Sequence, residues 1–141
     1  MSPKKKRSVN RPATGNAKSE ETRPRTWYWF RHEKVGRERG REEFERLPIK
    51  EQAELAVKIE RFLNGQSRLK DVDSLGDHIL EIRHRTGSNH FRVLFTLWGP
   101  HCVGLTSFYK NQQETPKPDK DRAIKRRKRW IELFGEKPPK N

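Results

Sequence analysis

Apolar and polar residues alternate along residues 77–115 with the two-residue period of β-strands. In the first of three such runs, Leu80 and Ile82 alternate with Glu81, Arg83 and Arg85. The second run covers residues 91–98. In the third run, a regular alternation would place two sets of residues on opposite faces of the strand. One set is Val103, Leu105, Ser107 and Tyr109, and the other is Gly104, Thr106, Phe108 and Lys110. Turn sequences at residues 86–89 and 99–100 separate the runs, so we predict an antiparallel meander.

Residues 49–63 instead repeat their apolar side chains with the 3.6-residue period of an α-helix. A shorter polar helix is predicted over residues 38–47, where Gly40 is unfavourable, and Pro48 separates the two. The pair predicts an α-hairpin whose apolar stripe packs on one face of the sheet. A partner-binding groove is the alternative use of this stripe. It comprises Ile49, Ala53, Ala56, Val57, Ile59, Phe62 and Leu63.

The flanking segments complete an α+β domain. Residues 27–30, Trp-Tyr-Trp-Phe, predict a core strand, with a base-stacking platform as the alternative. Residues 66–77 are expected to form a polar connector. Between Pro118 and Gly135 a final helix is predicted, with one apolar face and one basic face. The apolar face carries Ala123, Ile124, Trp130, Ile131 and Phe134, and the basic face carries Lys125, Arg126, Arg127, Lys128 and Arg129.

Basic residues are concentrated at the two ends of the chain. The 141 residues carry a formal charge of +14. Residues 1–25 hold eight Lys or Arg against two Glu, and residues 110–141 hold eleven against five acidic residues. This pattern indicates binding to a polyanion. We expect a disordered basic leader over residues 1–25, a domain over 26–137 and a tail over 138–141. A nuclear import signal at residues 4–7 is the alternative for part of the leader.

Several classes of protein are disfavoured by composition. The single cysteine, Cys102, allows no disulfide framework and is expected to be a packing residue. The spacing of the histidines matches no metal-ligand pattern, so we expect no metal and no cofactor. No apolar run approaches a membrane span, and no secretory signal follows the first basic residues. We therefore expect a cytoplasmic protein.

Cations within the predicted sheet are the strongest functional signal. Arg83, Arg85, Arg92 and Lys110 would repel one another and lose solvation unless an anionic ligand contacts them. A phosphate backbone is the natural candidate. RNA cleavage by attack of a 2′-hydroxyl needs such cations near the developing charge, and groups that transfer two protons.

Groups able to transfer protons are few. The candidates are Glu81, His84, His90 and Tyr109. Glu81 could instead form an ion pair with Arg83 or Arg92. His84 could instead be a histidine of the core. His90 has the alternative of simple exposure at a turn.

Three motifs in order resemble a known family. They are Asp77–Arg83 (DHILEIR), Asn89–Phe95 (NHFRVLF) and Phe108–Gln113 (FYKNQQ), the last followed by Thr115-Pro116. Over about residues 26–139 the sequence resembles the phage-derived Gp49-like family of the RelE/ParE superfamily. Within it, the sequence is most similar to HigB toxins, in the branch encoded with a HigA antitoxin and a SecB-like chaperone.

The resemblance implies both a fold and an activity. The fold would be RelE/ParE-like, with an N-terminal helical hairpin on a small antiparallel sheet and a C-terminal helix. The activity would be ribosome-dependent, metal-independent cleavage of messenger RNA, inhibited by a HigA-like helix-turn-helix antitoxin on which the chaperone acts. Arg83, Arg92 and Lys110 match the family's catalytic positions, with Ile82 where leucine is commoner.

Two other functions stay open from the sequence. One is a gyrase poison of the ParE kind, which is not a nuclease. The other is a basic RNA- or DNA-binding module without catalysis. Strand cations favour the nuclease, because a protein that blocks a topoisomerase need not stabilise a pentacoordinate phosphorane. Arg85 and the basic helix face are then expected to bind RNA.

Overall fold

A five-stranded sheet lies between helices on both of its faces. The computed structural model describes residues 25–140. Its elements are β1 (Trp27–Trp29), α1 (Arg39–Glu45), α2 (Ile49–Leu63), β2 (Val72–Gly76), β3 (Ile79–Thr86), β4 (Asn89–Trp98), β5 (His101–Lys110) and α3 (Lys117–Phe134). The strand order is β1-β5-β4-β3-β2. The predicted α+β fold, with its hairpin and final helix, is confirmed. The sheet is mixed rather than antiparallel throughout, because β1 runs parallel to β5.

The two faces of the sheet bury separate apolar cores. Val93 and Phe95 of β4 face α1 and α2, whereas Leu94 and Trp98 face α3. The core strand predicted over residues 27–30 is present as β1 with the adjoining Phe30. Trp27 and Trp29 pack against the core on the hairpin side, and Phe30 is fully buried in the core on the α3 side. Cys102 is a buried packing residue, and burial raises the pKa of its thiol to about 11. Within residues 25–140, no helix combines the length and apolarity needed to cross a membrane.

The structure describes only part of the segments that were predicted to flank the domain. The leader predicted for residues 1–25 lies outside the described residues except for Arg25, whose guanidinium lies 5.1 Å from the centre of the Phe62 ring. At the other end, Pro138 of the predicted tail lies against Gly99 in the β4–β5 turn.

Only part of the predicted stripe on α2 is core. Ile59 packs on the sheet with partly buried Phe62 and Leu63, together with Leu55, which the prediction omitted. Ile49, Ala53, Ala56 and Val57 are exposed, so the prediction is wrong for them. The first turn of α2 buries Glu51 instead, whose carboxylate accepts a hydrogen bond from Thr86 Oγ1 at 3.1 Å. The helix therefore presents Glu51, Leu55 and Ile59 to the sheet rather than all of its aliphatic residues.

The predicted connector over residues 66–77 contains a strand. Val72–Gly76 forms β2 at the edge of the sheet and pairs with β3. Asp77 and His78 make the turn between them with φ values of 56° and 67°. Two positive φ angles are typical of a type I′ hairpin turn, which Asn-Gly or Asp-Gly usually signals in a sequence. Here neither dipeptide is present, and most of β2 is polar, so the strand was missed.

A β-bulge interrupts β5 at Leu105. Leu94 pairs with Thr106 and the next residue, Phe95, pairs with Gly104, so Leu105 is an extra residue. Val103 and Leu105 therefore face α3, and after the bulge Phe108 also faces α3. The predicted single alternation along residues 103–110 is wrong, because a bulge shifts the pleat by one position. The second half of β5 thus presents Lys110 on the face that α3 covers.

Candidate functional site

One face of the sheet brings most of the predicted site residues together. Arg85, His90 and Lys110 lie side by side across β3, β4 and β5, and Arg83 pairs with Arg92 in the neighbouring position. All five lie on the side of the sheet that α3 covers. We call the four basic residues, Arg83, Arg85, Arg92 and Lys110, the cationic cluster. The structure thus brings these four predicted site residues to one face of the sheet.

Glu81 lies at the centre of this face and is almost fully buried. Its Oε1 accepts a hydrogen bond from Arg83 Nη2 at 2.8 Å, and its Oε2 lies 3.5 Å from Arg92 Nε. Thr115 Oγ1 also donates to Oε2. The pairing of Glu81 with both arginines confirms the alternative role considered for it. Both oxygens of the Glu81 carboxylate are therefore engaged by groups of the protein itself.

Arg92 occupies a different position from the one expected for a phosphate-contacting cation. Its side chain is 0% exposed. Nη2 donates to the carbonyls of Gln112 and Gln113, at 2.5 and 2.6 Å. Arg92 thus holds the loop between β5 and α3 over the cluster. Arg92 lies, as expected, on the face that points away from the helical hairpin, but this loop covers it.

Buried nitrogen atoms without partners cluster at the same place. Arg83 Nε, Arg92 Nε and Nη1, and His90 Nδ1 are buried and form no hydrogen bond within the described part of the chain. Each such atom costs about 1–3 kcal/mol when it stays unsatisfied. The Arg92 atoms lie under the loop and beside Glu81, whereas Arg83 Nε and His90 Nδ1 lie next to the partly exposed cations.

His90 is buried rather than exposed at a turn, contrary to the alternative considered for it. Only 7% of the residue is accessible, because Arg85 and Lys110 flank it on the neighbouring strands. Burial lowers the pKa of His90 below its ordinary value of 6.5, and the charges of Arg92, Arg83 and Arg85 lower it further. The imidazole is therefore neutral at pH 7 and can accept a proton.

Tyr109 lies on the opposite face of the sheet from the cationic cluster. Its ring stacks on Phe91, with centroids 5.3 Å apart and an interplanar angle of 29°. Neighbouring residues of a strand point to opposite faces, so Lys110 and Tyr109 cannot both face α3. The structure therefore separates Tyr109 from the other predicted catalytic residues, which lie on the α3 side.

The five consecutive cations of α3 do not form one basic face. Arg126 is buried and makes a bidentate ion pair with Glu43 of α1, both contacts being 2.9 Å. Its Nη1 also donates to the carbonyl of Leu105, the residue at the bulge. Arg129 donates to the carbonyl of His32, which ties α3 to the loop before α1. The expectation that Arg126 binds RNA is therefore wrong. Of the five, Lys125 and Lys128 are exposed, and Arg127 is half-buried.

A groove borders the cationic cluster between β2 and the loop that precedes α3. It has a volume of about 460 Å³. Its lining includes Arg83, Thr115 and Lys120. Beyond it, Asp119 lies 4.0 Å from Lys110 and accepts a hydrogen bond from Arg122. Thr115 belongs to the third family motif but was not predicted as a site residue, and neither were Lys120 and Arg122 in the first turns of α3.

Comparison with known proteins places the chain in a family. The model of the phage-derived protein Gp49-like family (DUF891) matches residues 42–128, which include the whole cationic cluster. Two proteins described as probable endoribonuclease HigB1, from Mycobacterium tuberculosis strains CDC 1551 / Oshkosh and ATCC 25618 / H37Rv, are similar to the chain. Each is 44% identical over 114 residues, which span 81% of this chain and 91% of the relative. The chain belongs to the phage-derived Gp49-like family and, within it, to the HigB toxins.

Proposed function

We propose that this protein is the toxin of a HigB–HigA type II toxin–antitoxin module, and that it cleaves messenger RNA on the ribosome. The proposal extends to this chain the endoribonuclease activity in the name of its relatives. The observation that carries it is the placement of the partly exposed cations Arg83 and Lys110 on one face of the sheet with His90, where Arg83 Nε forms no hydrogen bond within residues 25–140. A phosphodiester bound to these cations supplies an acceptor for Arg83 Nε and the counter-charge together.

The members of the cluster take different roles in this proposal. Arg83 and Lys110 keep 25% and 45% of their side chains exposed, so they can reach a phosphate. They stabilise the charge that develops on the phosphorane, with Arg85 binding a neighbouring phosphate. Arg92 is a positioning residue in the free protein, because it holds the carbonyls of Gln112 and Gln113.

His90 is the best-placed group to remove the proton from the attacking 2′-hydroxyl. It is neutral at pH 7, and its unpaired Nδ1 lies among the cations that would hold the phosphate. Glu81 is committed to Arg83, Arg92 and Thr115, and Tyr109 faces away. The reaction needs no metal, since the guanidinium and ammonium groups supply the positive charge that a metal would otherwise provide.

Primer extension on messenger RNA, after brief expression of the protein, tests the function. Discrete new 5′ ends that appear only on translated RNA are the expected result. Intact RNA accompanied by gyrase-linked DNA breaks would instead identify a gyrase poison. Intact RNA and intact DNA would leave a binding module without catalysis. Co-expression of a HigA-like helix-turn-helix antitoxin should prevent the cleavage, and a SecB-like chaperone should act only through that antitoxin.

The role of His90 predicts an acid limb in the pH profile. With the pKa of His90 held below 6.5, the cleavage rate should be constant above pH 6.5 and fall at lower pH as the imidazole becomes protonated. The unfolded chain binds this proton at higher pH than the folded one, so the free energy of unfolding should also fall as pH drops below 6.5. His90→Gln should lower the rate and abolish the acid limb. An unaltered limb in this variant would assign it to another group.

The exposed part of α3 should bind ribosomal RNA through charge alone. Lys125→Glu combined with Lys128→Glu should weaken co-sedimentation with ribosomes and reduce its salt dependence. Each lost phosphate contact should change the slope of log affinity against log salt by about 0.7–0.9. The matched control is Lys50→Glu combined with Arg68→Glu, two exposed positions away from α3, which changes the net charge by the same amount. Identical salt slopes for the α3 variant and the unsubstituted protein would exclude this helix from the ribosome contact.

A further inference from the structure

An aromatic row crosses the sheet on the face opposite the cationic cluster. His84, Phe91 and Tyr109 are direct neighbours across β3, β4 and β5. The Phe91 and Tyr109 rings are stacked, and the His84 ring is tilted by 32° to Phe91. Tyr109 ends the row and stays 55% exposed, so one flat ring face is presented to solvent. The proposed cleavage mechanism makes no use of this row.

A small groove lies beside Tyr109 and contains an unpaired hydroxyl. The groove has a volume of about 260 Å³, and its lining includes Arg46, Ser107 and Tyr109. Ser107 is 6% exposed, and its Oγ forms no hydrogen bond among residues 25–140. Arg46 is exposed at the start of the α1–α2 connection and makes no ion pair within the same residues. The groove therefore combines a stacking surface, a hydrogen-bonding group and a cation. Its lining also includes the carboxylate of Glu43, whose charge is paired with Arg126.

We propose that this groove, formed by Tyr109, Ser107 and Arg46, binds one nucleobase of a single-stranded RNA. The base would stack on the Tyr109 ring, its polar edge would hydrogen-bond Ser107 Oγ, and Arg46 would contact the adjoining phosphate. The inference deepens the proposed function by giving the RNA substrate a second contact point. Because Tyr109 directly precedes Lys110 in β5, one strand of RNA passing around the end of the sheet reaches both faces.

The dimensions and chemistry of the groove favour a base over a protein segment. Its volume is below the 300–1,000 Å³ of pockets for drug-sized ligands, and a helix or strand would need a longer apolar surface. The end of the sheet is cationic, which suits a phosphate chain. Stacking on an aromatic ring tolerates any base, since every base has a flat π face.

Binding of a short oligonucleotide that cannot be cleaved tests the inference separately from catalysis. The probe is a labelled six-nucleotide RNA with 2′-O-methyl riboses, and its counterpart is a six-residue strand without bases. Fluorescence anisotropy with the full chain gives both affinities. Tyr109→Ala should weaken binding of the base-containing probe about 5- to 150-fold and leave the abasic strand unaffected. Tyr109→Phe should bind both probes as the unsubstituted protein does.

Ser107→Ala provides a second, independent arm. Removal of a buried, unpaired hydroxyl should keep or raise the thermal stability of the protein. It should nevertheless lower the affinity for the base-containing probe about 2- to 12-fold. A purely structural serine would not show this combination. Leu69→Ala removes an exposed apolar side chain elsewhere and should leave the affinity for both probes unchanged. Unchanged affinity for the base-containing probe in both groove variants, or equal losses on the two probes, would overturn the inference. Weaker antitoxin binding in place of weaker RNA binding would reassign the groove to a protein partner.

The outcome does not depend on the proposed cleavage. Base-dependent binding without any cleavage would support the groove and count against the nuclease. Cleavage without base-dependent binding would do the reverse.

Discussion

Arg83→Ala should lower the rate of messenger RNA cleavage on ribosomes about 10²–10³-fold. That is the usual cost of removing one preorganised group that stabilises developing charge. Arg83 is suited to this role because it is partly exposed at the groove and its Nε is unpaired. Its loss also removes one hydrogen bond to Glu81, worth about 1.5–3 kcal/mol of the free energy of unfolding when the acceptor is charged. Single-turnover cleavage and urea denaturation measure the two effects separately.

Arg41→Ala is the matched control for this experiment. Arg41 is an exposed arginine on α1 that pairs with Glu38 and Glu45. Surface pairs of this kind contribute little, so both the cleavage rate and the stability should stay close to those of the unsubstituted protein. A cleavage rate for Arg83→Ala within about threefold of the control would exclude Arg83 from the reaction, because loss of a group that stabilises an oxyanion lowers the rate by much more than this.

Arg92→Ala should act mainly on stability. Its guanidinium is fully buried and holds Gln112, Gln113 and the Glu81 carboxylate. Removing one partner of a buried ion pair typically costs about 3–5 kcal/mol, because the other charge is left without compensation. Urea denaturation should show this loss, and hydrogen exchange in residues 111–115 should accelerate as the loop is released. A family-based expectation would instead predict a stable, inactive protein.

Arg85→Ala is the control for Arg92→Ala. Arg85 is exposed and lies two residues along from Arg83 on the same face, and its Nε donates only to the carbonyl of Gly87. Its removal should change the free energy of unfolding by no more than about 0.5 kcal/mol. If Arg92→Ala proved as stable as Arg85→Ala, the contacts of Arg92 would not hold the loop, and the arginine would be free to bind phosphate.

Alternation in the sequence predicts which side chains share a face but not which of them are covered. Leu80 and Ile82 were correctly placed against the helical hairpin, and Glu81 and Arg83 on the other side. In the sequence, nothing distinguishes Arg92 from an exposed basic residue of a strand. Its burial depends on a loop twenty residues away in sequence, whose carbonyls the pattern of apolar residues does not reveal.

Arg126 illustrates a signal that was present and overlooked. It stands among four other cations, so composition alone suggests a solvated face. Its spacing from Ala123 and Trp130, three and four residues, nevertheless places it on the buried stripe of α3. The need for a cation there arises from the carbonyl of Leu105 and the carboxylate of Glu43, which come from distant parts of the chain.

The bulge at Leu105 decides which side of the sheet the later residues of β5 face. Leu105 and Thr106 both lie on the α3 side, and regular alternation then places Tyr109 on the hairpin side and Lys110 on the α3 side. If β5 paired regularly through Leu105, every later residue would turn to the other face, with Lys110 towards the helical hairpin and Tyr109 towards α3. Removing Leu105 would leave both faces as they are, because Gly104 and Thr106 already point to opposite sides. A single-codon deletion at the bulge should therefore preserve both sides of the sheet, whereas straightening the strand at its full length would exchange them.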